Sequence, residues 1–118
     1  MEVNLVVLSG TTAAPAEHRV FDSGAELARL LVTVRSESPS RRVDVIPVTV
    51  WDPSPDLLTA TADRGVRVWV AGAVQRRFWD SDGSRKSRLE VVAHHVEVPP
   101  PDGETPDSGG LGTGSVSG

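Results

Sequence analysis

The chain has 118 residues, no cysteine and a formal net charge of -4 at pH 7. This length suits one domain, and the missing cysteines exclude disulfides and thiolate metal sites, so a single apolar core must hold the fold. No apolar run approaches the length of a membrane span, and no basic segment followed by an apolar one opens the chain. The sequence therefore predicts a soluble cytoplasmic protein without a membrane partner.

Charge and composition divide the chain at about residue 98. Residues 1–98 hold all 12 Lys and Arg and 13 of the 16 Asp and Glu, a net charge of -1. A near-neutral domain can still bind DNA when its cations share one face, because local charge decides phosphate contact. The last 20 residues contain four prolines and six glycines with almost no large apolar side chain. We predict one domain over 1–98 and a disordered tail over 99–118.

Alternation of apolar and polar residues predicts extended segments in the first half of the chain. They span residues 3–9, 17–22, 26–35 and 43–51. The first ends at Gly10, and the short second one is closed by the turn pair Ser23-Gly24. In the last two, alternate residues such as Leu30 and Val48 form the apolar faces, and arginines and Trp51 lie on the opposite sides.

One helix is predicted next. Ser54 can cap it, Pro55 suits its first turn, Leu57 supplies apolar contact, and Gly65 ends it. A long strand over 66–79 follows, then a hairpin tip at Asp82-Gly83 and a last strand over 87–98.

Five long strands with one short helix between the third and fourth is the element order of an OB-fold, a five-stranded Greek-key barrel. Gly72, inside the fourth strand, fits the sharp bend that a small barrel needs. The alternative is a five-stranded sandwich, which the length and bend of the fourth strand disfavour. We expect an all-β barrel.

The sequence gives little support for catalysis. His94 and His95 are adjacent, so on a strand they point to opposite faces and do not jointly chelate a metal, and His18 is isolated. There is no Gly-rich phosphate loop, nucleophile elbow or spaced carboxylate pair. We expect no enzyme activity, no metal and no cofactor.

The three tryptophans all fall on the outward parity of their strands. Such residues can fill an oligomer interface, or they can stack nucleobases, which contributes roughly 1–3 kcal/mol per base. Basic residues accompany Trp79 along the last hairpin, and a second basic pair precedes the third long strand, a pattern that favours binding of single-stranded nucleic acid. The candidate DNA-binding residues are Trp51, Trp69, Trp79, Arg29, Arg35, Arg41, Arg42, Arg76, Arg77, Arg85, Lys86 and Arg88.

Five segments, in the right order, resemble the bacterial single-stranded DNA-binding proteins of the homo-oligomeric OB-fold type. These segments are Asn4-Leu-Val-Val-Leu-Ser-Gly10, Glu17-His-Arg19 with Ser23-Gly24, Val45-Ile-Pro-Val-Thr-Val-Trp51, Gly65-Val-Arg-Val-Trp-Val-Ala-Gly72 and Arg77-Phe-Trp79-Asp-Ser-Asp-Gly83. The resemblance as a whole covers residues 3 to about 98.

The resemblance carries over unevenly to the stacking positions. Trp79 matches the family's hairpin tryptophan and Trp51 the aromatic that closes the third strand, whereas Trp69 stands where Tyr or an aliphatic residue is usual. The aromatic often found at the start of the third strand is replaced by Asp44-Val45, and the loop over 36–42 lacks a tryptophan seen in some members. We therefore expect weaker binding or a greater dependence on phosphate contacts.

The resemblance implies sequence-independent binding and protection of single-stranded DNA in replication, recombination or repair. It also implies a homotetramer rather than a dimer, associated with the nucleoid. The family's acidic tail tip has no match in Thr113-Gly-Ser-Val-Ser-Gly118, so the sequence gives no support for tail-mediated recruitment of replication proteins. Two alternatives stay open: an OB module used for protein interaction or assembly, and an RNA-binding role.

Overall fold

The computed structural model describes residues 1–100. Its elements are β1 (Val6–Thr12), β2 (Glu17–Val20), β3 (Glu26–Ser36), β4 (Arg42–Trp51), α1 (Pro55–Ala60), β5 (Arg67–Ser81) and β6 (Ser84–Glu97). None of the helices described is long and apolar enough to cross a membrane. Of the tail predicted over 99–118, all but the first two residues lie outside the described part.

The strands form one sheet in the order β1-β5-β6-β4-β3-β2, and β1 also pairs with β3. That extra pairing closes five strands into a barrel and leaves β2 as an added edge strand on β3. All neighbours are antiparallel except β4 and β6, which pair in parallel over Val48–Val91 and Thr49–Val92 alone. The predicted five-stranded barrel with one short helix between its third and fourth strands is confirmed.

Period-two alternation builds the core. Inward residues of β3, β4, β5 and β6 are buried together, whereas most of their sequence neighbours face outward. The buried cluster comprises Ala28, Leu30, Val32, Val48, Val50, Val68, Val70 and Val91. Leu57 and Leu58 of α1 pack against this cluster.

The first strand begins and ends later than the sequence predicts. Gly10 lies inside β1 and does not end it, because β1 meets β3 directly after this residue. A Cβ at Gly10 would stand 2.1 Å from the carbonyl oxygen of Thr33, so only glycine permits this approach. Before β1, the Asn4 side chain accepts a hydrogen bond from the Val74 N–H at 2.9 Å and donates one to the Val74 carbonyl at 2.8 Å. These two bonds take the place of the backbone hydrogen bonds that a further residue of β1 would make with β5.

The helix is shorter than predicted: it ends at Ala60, not at Gly65. Ser54 caps its start by accepting from the Leu57 N–H at 3.1 Å. Thr61 ends it by turning its hydroxyl back to the Leu57 carbonyl. Gly65, at φ +82°, instead lies in the turn before β5, where its N–H donates to the Thr12 carbonyl at 2.7 Å.

Two glycines shape the β5–β6 hairpin. The register shifts by one residue at Ala71/Gly72, where β6 holds the extra residue His94. A Cβ at Gly72 would lie 2.1 Å from the carbonyl oxygen of Val92, so the bend predicted here depends on glycine. The tip is a two-residue loop, Asp82-Gly83, with positive φ at both positions, the backbone of a type I′ turn.

Candidate nucleic-acid interface

An open groove of about 280 Å³ crosses the outer face of β2, β3, β4, β5 and β6. Each of β3, β4, β5 and β6 contributes two residues that lie two positions apart, and Arg19 of β2 is joined by Phe21, which lies just after that strand. The lining residues are Arg19, Phe21, Leu27, Arg29, Thr49, Trp51, Gln75, Arg77, Glu90 and Val92.

The strand register explains why these residues meet. Arg29 pairs with Thr49, and Thr49 pairs in turn with Val92, so one row of side chains runs across three strands. Gln75 pairs with Glu90 on the neighbouring row. Because paired residues share a face of the sheet, these outward residues of neighbouring strands meet in the same groove.

An aromatic pair forms one wall of the groove. The rings of Phe21 and Trp51 lie 5.9 Å apart between centroids, tilted by 30°. Trp51 is 50% exposed, so part of its ring remains free beside Phe21. Such a surface can stack a nucleobase, whatever its identity, because every base has a π-face.

Buried polar groups form the floor. Glu90 is 8% and Thr49 2% exposed, and the Thr49 hydroxyl donates to Glu90 Oε1 at 3.2 Å. The Nε of Arg29 is buried without a hydrogen-bond partner among the described residues. Burial lowers the pKa of Arg29, and the nearby Arg77 and Arg88 lower it further, while the charge of Glu90 acts in the opposite direction.

The β5–β6 hairpin divides its predicted binding residues between two faces. Trp79 pairs with Lys86 and Arg77 with Arg88, so these four share the outward parity of the groove, and the Arg88 guanidinium lies 6.0 Å from the Trp79 ring. The residues in between, with the opposite parity, lie on the reverse face.

The reverse face of the hairpin has its own cation–π contact. There Arg85 lies 4.7 Å over the ring of Phe78, and Arg76 donates to the Ser87 hydroxyl at 3.1 Å. The structure thus separates Arg76 and Arg85 from the other hairpin candidates.

Trp69 is not brought together with the other tryptophans. It pairs with Ser9 of β1 and Glu97 of β6, on the far side of the register shift at Gly72. It lines a separate groove with Arg67, Val98 and the first two tail prolines. All three tryptophans have the same outward parity in the sequence, but parity does not distinguish one side of a barrel from another.

Arg35, Arg41 and Arg42 lie at the far end of the β3–β4 hairpin. The two ion pairs here are exposed: Arg42 Nε to Asp44 Oδ2 at 2.8 Å, and Arg41 Nε to Glu37 Oε1 at 3.6 Å. The hydrogen bond with Asp44 raises the pKa of Arg42. A DNA strand that occupies the groove would contact these three arginines only if it also extended along the β3–β4 hairpin.

The sequence interpretation did not include the groove residues Arg19, Phe21, Thr49, Gln75 and Glu90 among the binding candidates. A signal for Glu90 was present, because it shares the parity of Lys86 and Arg88. Phe21 gave no such signal, since its position depends on β2 pairing beside β3 and thereby approaching Trp51. In the part of the chain described, no group of three or more His, Asp or Glu side chains could hold a metal ion.

Comparisons with known proteins agree with this geometry. The model of the single-strand binding protein family matches residues 3–99. The single-stranded DNA-binding protein of Streptococcus pneumoniae is 31% identical over 101 residues, which cover 81% of this chain and 65% of that protein. Single-stranded DNA-binding protein 1 of Clostridium acetobutylicum is 30% identical over 101 residues, 80% of this chain and 92% of that protein.

Two more distant proteins are also similar to this chain, one in sequence and one in structure. The single-stranded DNA-binding protein of Treponema pallidum is 24% identical over 102 residues, which cover 82% of this chain and 58% of that protein. The chain thus spans less than two thirds of the length of the Treponema and Streptococcus relatives. A solved structure described as Plasmodium falciparum SSB in complex with ssDNA has a TM-score of 0.69 at 18% identity, covering 82% of this chain and 93% of that one, and it shares the fold. With a family model matched over nearly the whole described part, the chain belongs to the single-strand binding protein family.

Proposed function

We propose that the protein binds and protects single-stranded DNA in replication, recombination or repair, at the nucleoid in the cytoplasm, and that it catalyses no reaction. The observation that carries the proposal is the groove. In this groove the exposed Trp51 ring lies beside the Phe21 ring, and Arg19, Arg29 and Arg77 line the same groove. The relatives named for single-stranded DNA binding support it.

The binding mode follows from the groove's chemistry. Bases stack on Trp51 and, farther along the hairpin, on Trp79, while Arg77, Lys86 and Arg88 contact phosphates. Stacking and phosphate contact both tolerate any sequence, so affinity depends mainly on length and salt. We assign this binding to residues 1–98, and none of it to residues 99–118.

Titration with oligo-dT tests the proposal. Tryptophan fluorescence is expected to be quenched, and log affinity to fall against log salt with a slope of about -0.7 per phosphate contacted. Unquenched fluorescence together with no gel shift at low salt would contradict it. A matched RNA oligomer in the same titration distinguishes DNA from RNA binding.

We further propose that the protein is a homotetramer in solution. Along β1 only Thr11 and Thr12 pair with β3, so residues 6–9 have one strand edge without a partner in the described structure. Leu5 and Val7 are more than 60% exposed on the outer face beside this edge. An open edge and an apolar face favour assembly of copies.

Light scattering after size exclusion tests the assembly. The wild-type chain is expected at four times the protomer mass, and Val7→Asp at a lower mass. Thr59→Asp, on exposed α1, is the control and is expected to leave the mass unchanged. A monomeric wild-type chain contradicts the proposal.

One observation favours the alternative of a protein-interaction subunit: Trp69 is half exposed outside the DNA groove. Replacing Arg77 and Trp79 by Ala separates the two functions. Under the proposed function the double variant loses DNA affinity and keeps its oligomeric mass. If the double variant keeps its DNA affinity and Trp69→Ala alone changes the oligomeric mass, the alternative is correct.

A further inference from the structure

A buried carboxylate lies in the floor of a groove that otherwise carries cations. Glu90 is more than nine-tenths buried. Thr49 is its only hydrogen-bond partner among the described residues, and no cation there lies within ion-pair distance of it. The second carboxylate oxygen, Oε2, makes no hydrogen bond to any of residues 1–100 and remains accessible from the groove.

Neither barrel stability nor phosphate binding explains this charge. A glutamine would accept the same hydrogen bond from Thr49 without the desolvation cost that burying a carboxylate imposes. A negative charge beside Arg29 also opposes the binding of phosphate. A ligand group that donates hydrogen bonds to an anion would, by contrast, make use of the charge.

We propose that Glu90 reads one nucleobase: its carboxylate accepts a hydrogen bond from the exocyclic amino group of a cytosine stacked on Trp51. The inference rests on the proposed function and concerns a single base position within an otherwise sequence-tolerant groove. Glu90 and Trp51 line the same groove, so a base that stacks on the ring can present its edge to the floor.

The donors and acceptors of cytosine match the floor. Its N4 amino group donates, and a carboxylate is a preferred acceptor for that group. Its N3 and O2 accept, and the unpartnered Nε–H of Arg29 is a donor in the same floor. Uracil and thymine carry O4 in place of the amino group, so two oxygen acceptors would face each other there.

The experiment compares oligo-dC with oligo-dU of equal length at mildly alkaline pH, followed by tryptophan quenching. In a homopolymer every binding register places the same base in the site, and these two bases differ only at position 4 and the adjoining N3. We expect the wild-type protein to bind oligo-dC about tenfold more tightly than oligo-dU, as for one net hydrogen bond to a charged group.

Glu90→Gln is the test variant, because the amide keeps the bond to Thr49 but can donate to O4 as well as accept. The dC-to-dU affinity ratio is expected to fall to about one. Glu97→Gln, which removes an exposed charge of the same strand outside the groove, is the control and should keep the wild-type ratio. Thermal unfolding of both variants checks that the barrel persists.

A second measurement needs no variant. An oligomer of 2-pyrimidinone deoxynucleotides carries hydrogen in place of the amino group, so the wild-type protein should bind it less tightly than oligo-dC. Equal binding of these two oligomers overturns the inference. The inference is also overturned if Glu90→Gln leaves the dC-to-dU affinity ratio unchanged. This holds even if the variant binds both oligomers more tightly, since that result would mean only that a charge repelling phosphate has been removed.

Failure of the inference and failure of the proposed function are distinguishable. If no homopolymer binds the wild-type protein at low salt, the proposed function itself is wrong. If all bind and none is discriminated, only the role of Glu90 is wrong.

Discussion

Two half-exposed tryptophans, Trp51 of β4 and Trp69 of β5, line different grooves, and their surroundings differ. Trp51 borders a groove that contains three guanidinium groups and a second aromatic ring. Trp69 borders a groove whose other residues include one cation, Arg67, and the first two prolines of the tail. Both are 50% exposed. Exposure alone therefore does not identify a stacking site, and the charges around the ring distinguish the two surfaces.

The difference also concerns what each surface can bind. A base stacked on Trp51 leaves its phosphates near arginines, so stacking and charge act on the same ligand. The Trp69 surface adjoins the apolar outer residues of β1, where a protein partner is better matched than a polyanion. Four sets of variants test this difference.

The largest effect is expected from Gly72→Val, which should disrupt both surfaces at once. The new side chain would meet the Val92 carbonyl oxygen at the point where β5 bends from one surface to the other. We expect a loss of about 3 kcal/mol or more of unfolding free energy, measured in urea. Ala73→Val, the next residue on the opposite parity, is the control. Equal stability of the Gly72 variant and the wild type would contradict the role given to this glycine.

Trp51→Ala compared with Trp69→Ala tests the two surfaces directly. Removing Trp51 should cost about 1–3 kcal/mol of oligo-dT binding, because one stacked base loses its ring. Trp69→Ala should change the affinity by less than a factor of about two. Because the tryptophans are also the fluorescent probe, affinity is measured here by anisotropy of labelled oligo-dT. Equal losses would place both surfaces in DNA binding.

Comparing Arg77→Ala with Arg76→Ala tests which face of the β5–β6 hairpin contacts DNA. Arg77 faces the groove, whereas Arg76 bonds Ser87 on the reverse face. The slope of log affinity against log salt should become less steep by about 0.7 for Arg77→Ala, as one phosphate contact is lost. For Arg76→Ala it should not change. An equal change in both slopes would mean that DNA contacts both faces.

The smallest effects are expected at the far end of the β3–β4 hairpin. Arg41 and Arg42 are exposed, and each has a carboxylate within 4 Å. A phosphate must compete with these carboxylates, so either alanine variant should weaken oligo-dT binding by about twofold. Isothermal titration at low salt measures this. A loss as large as that of Arg77→Ala would extend the binding surface along the hairpin.

Much of the fold was readable from the sequence because it depends on local pattern. Period-two alternation identified β3, β4, β5 and β6 and the inner faces of the first three of them, and Asp82-Gly83 identified the hairpin tip through the positive φ that both positions need. The errors concern the ends of β1 and α1, which depend on contacts with residues distant in the sequence. Gly10 looked like a terminator, yet it is the residue that lets β3 approach β1, and Gly65 looked like a helix end, yet it is held by Thr12.

For the binding surface, the local pattern of the sequence is enough to establish parity: which side chains point out of the barrel, and that the three tryptophans are among them. Which of these side chains share one side of the barrel depends on how distant strands pair. Parity has two values, whereas a closed barrel has a full circumference, and Trp69, whose strand partners are Ser9 and Glu97, lines a different groove from Trp51. The same closure brought Phe21 and Glu90 into the groove, since pairing of distant strands, not sequence spacing, sets their neighbours.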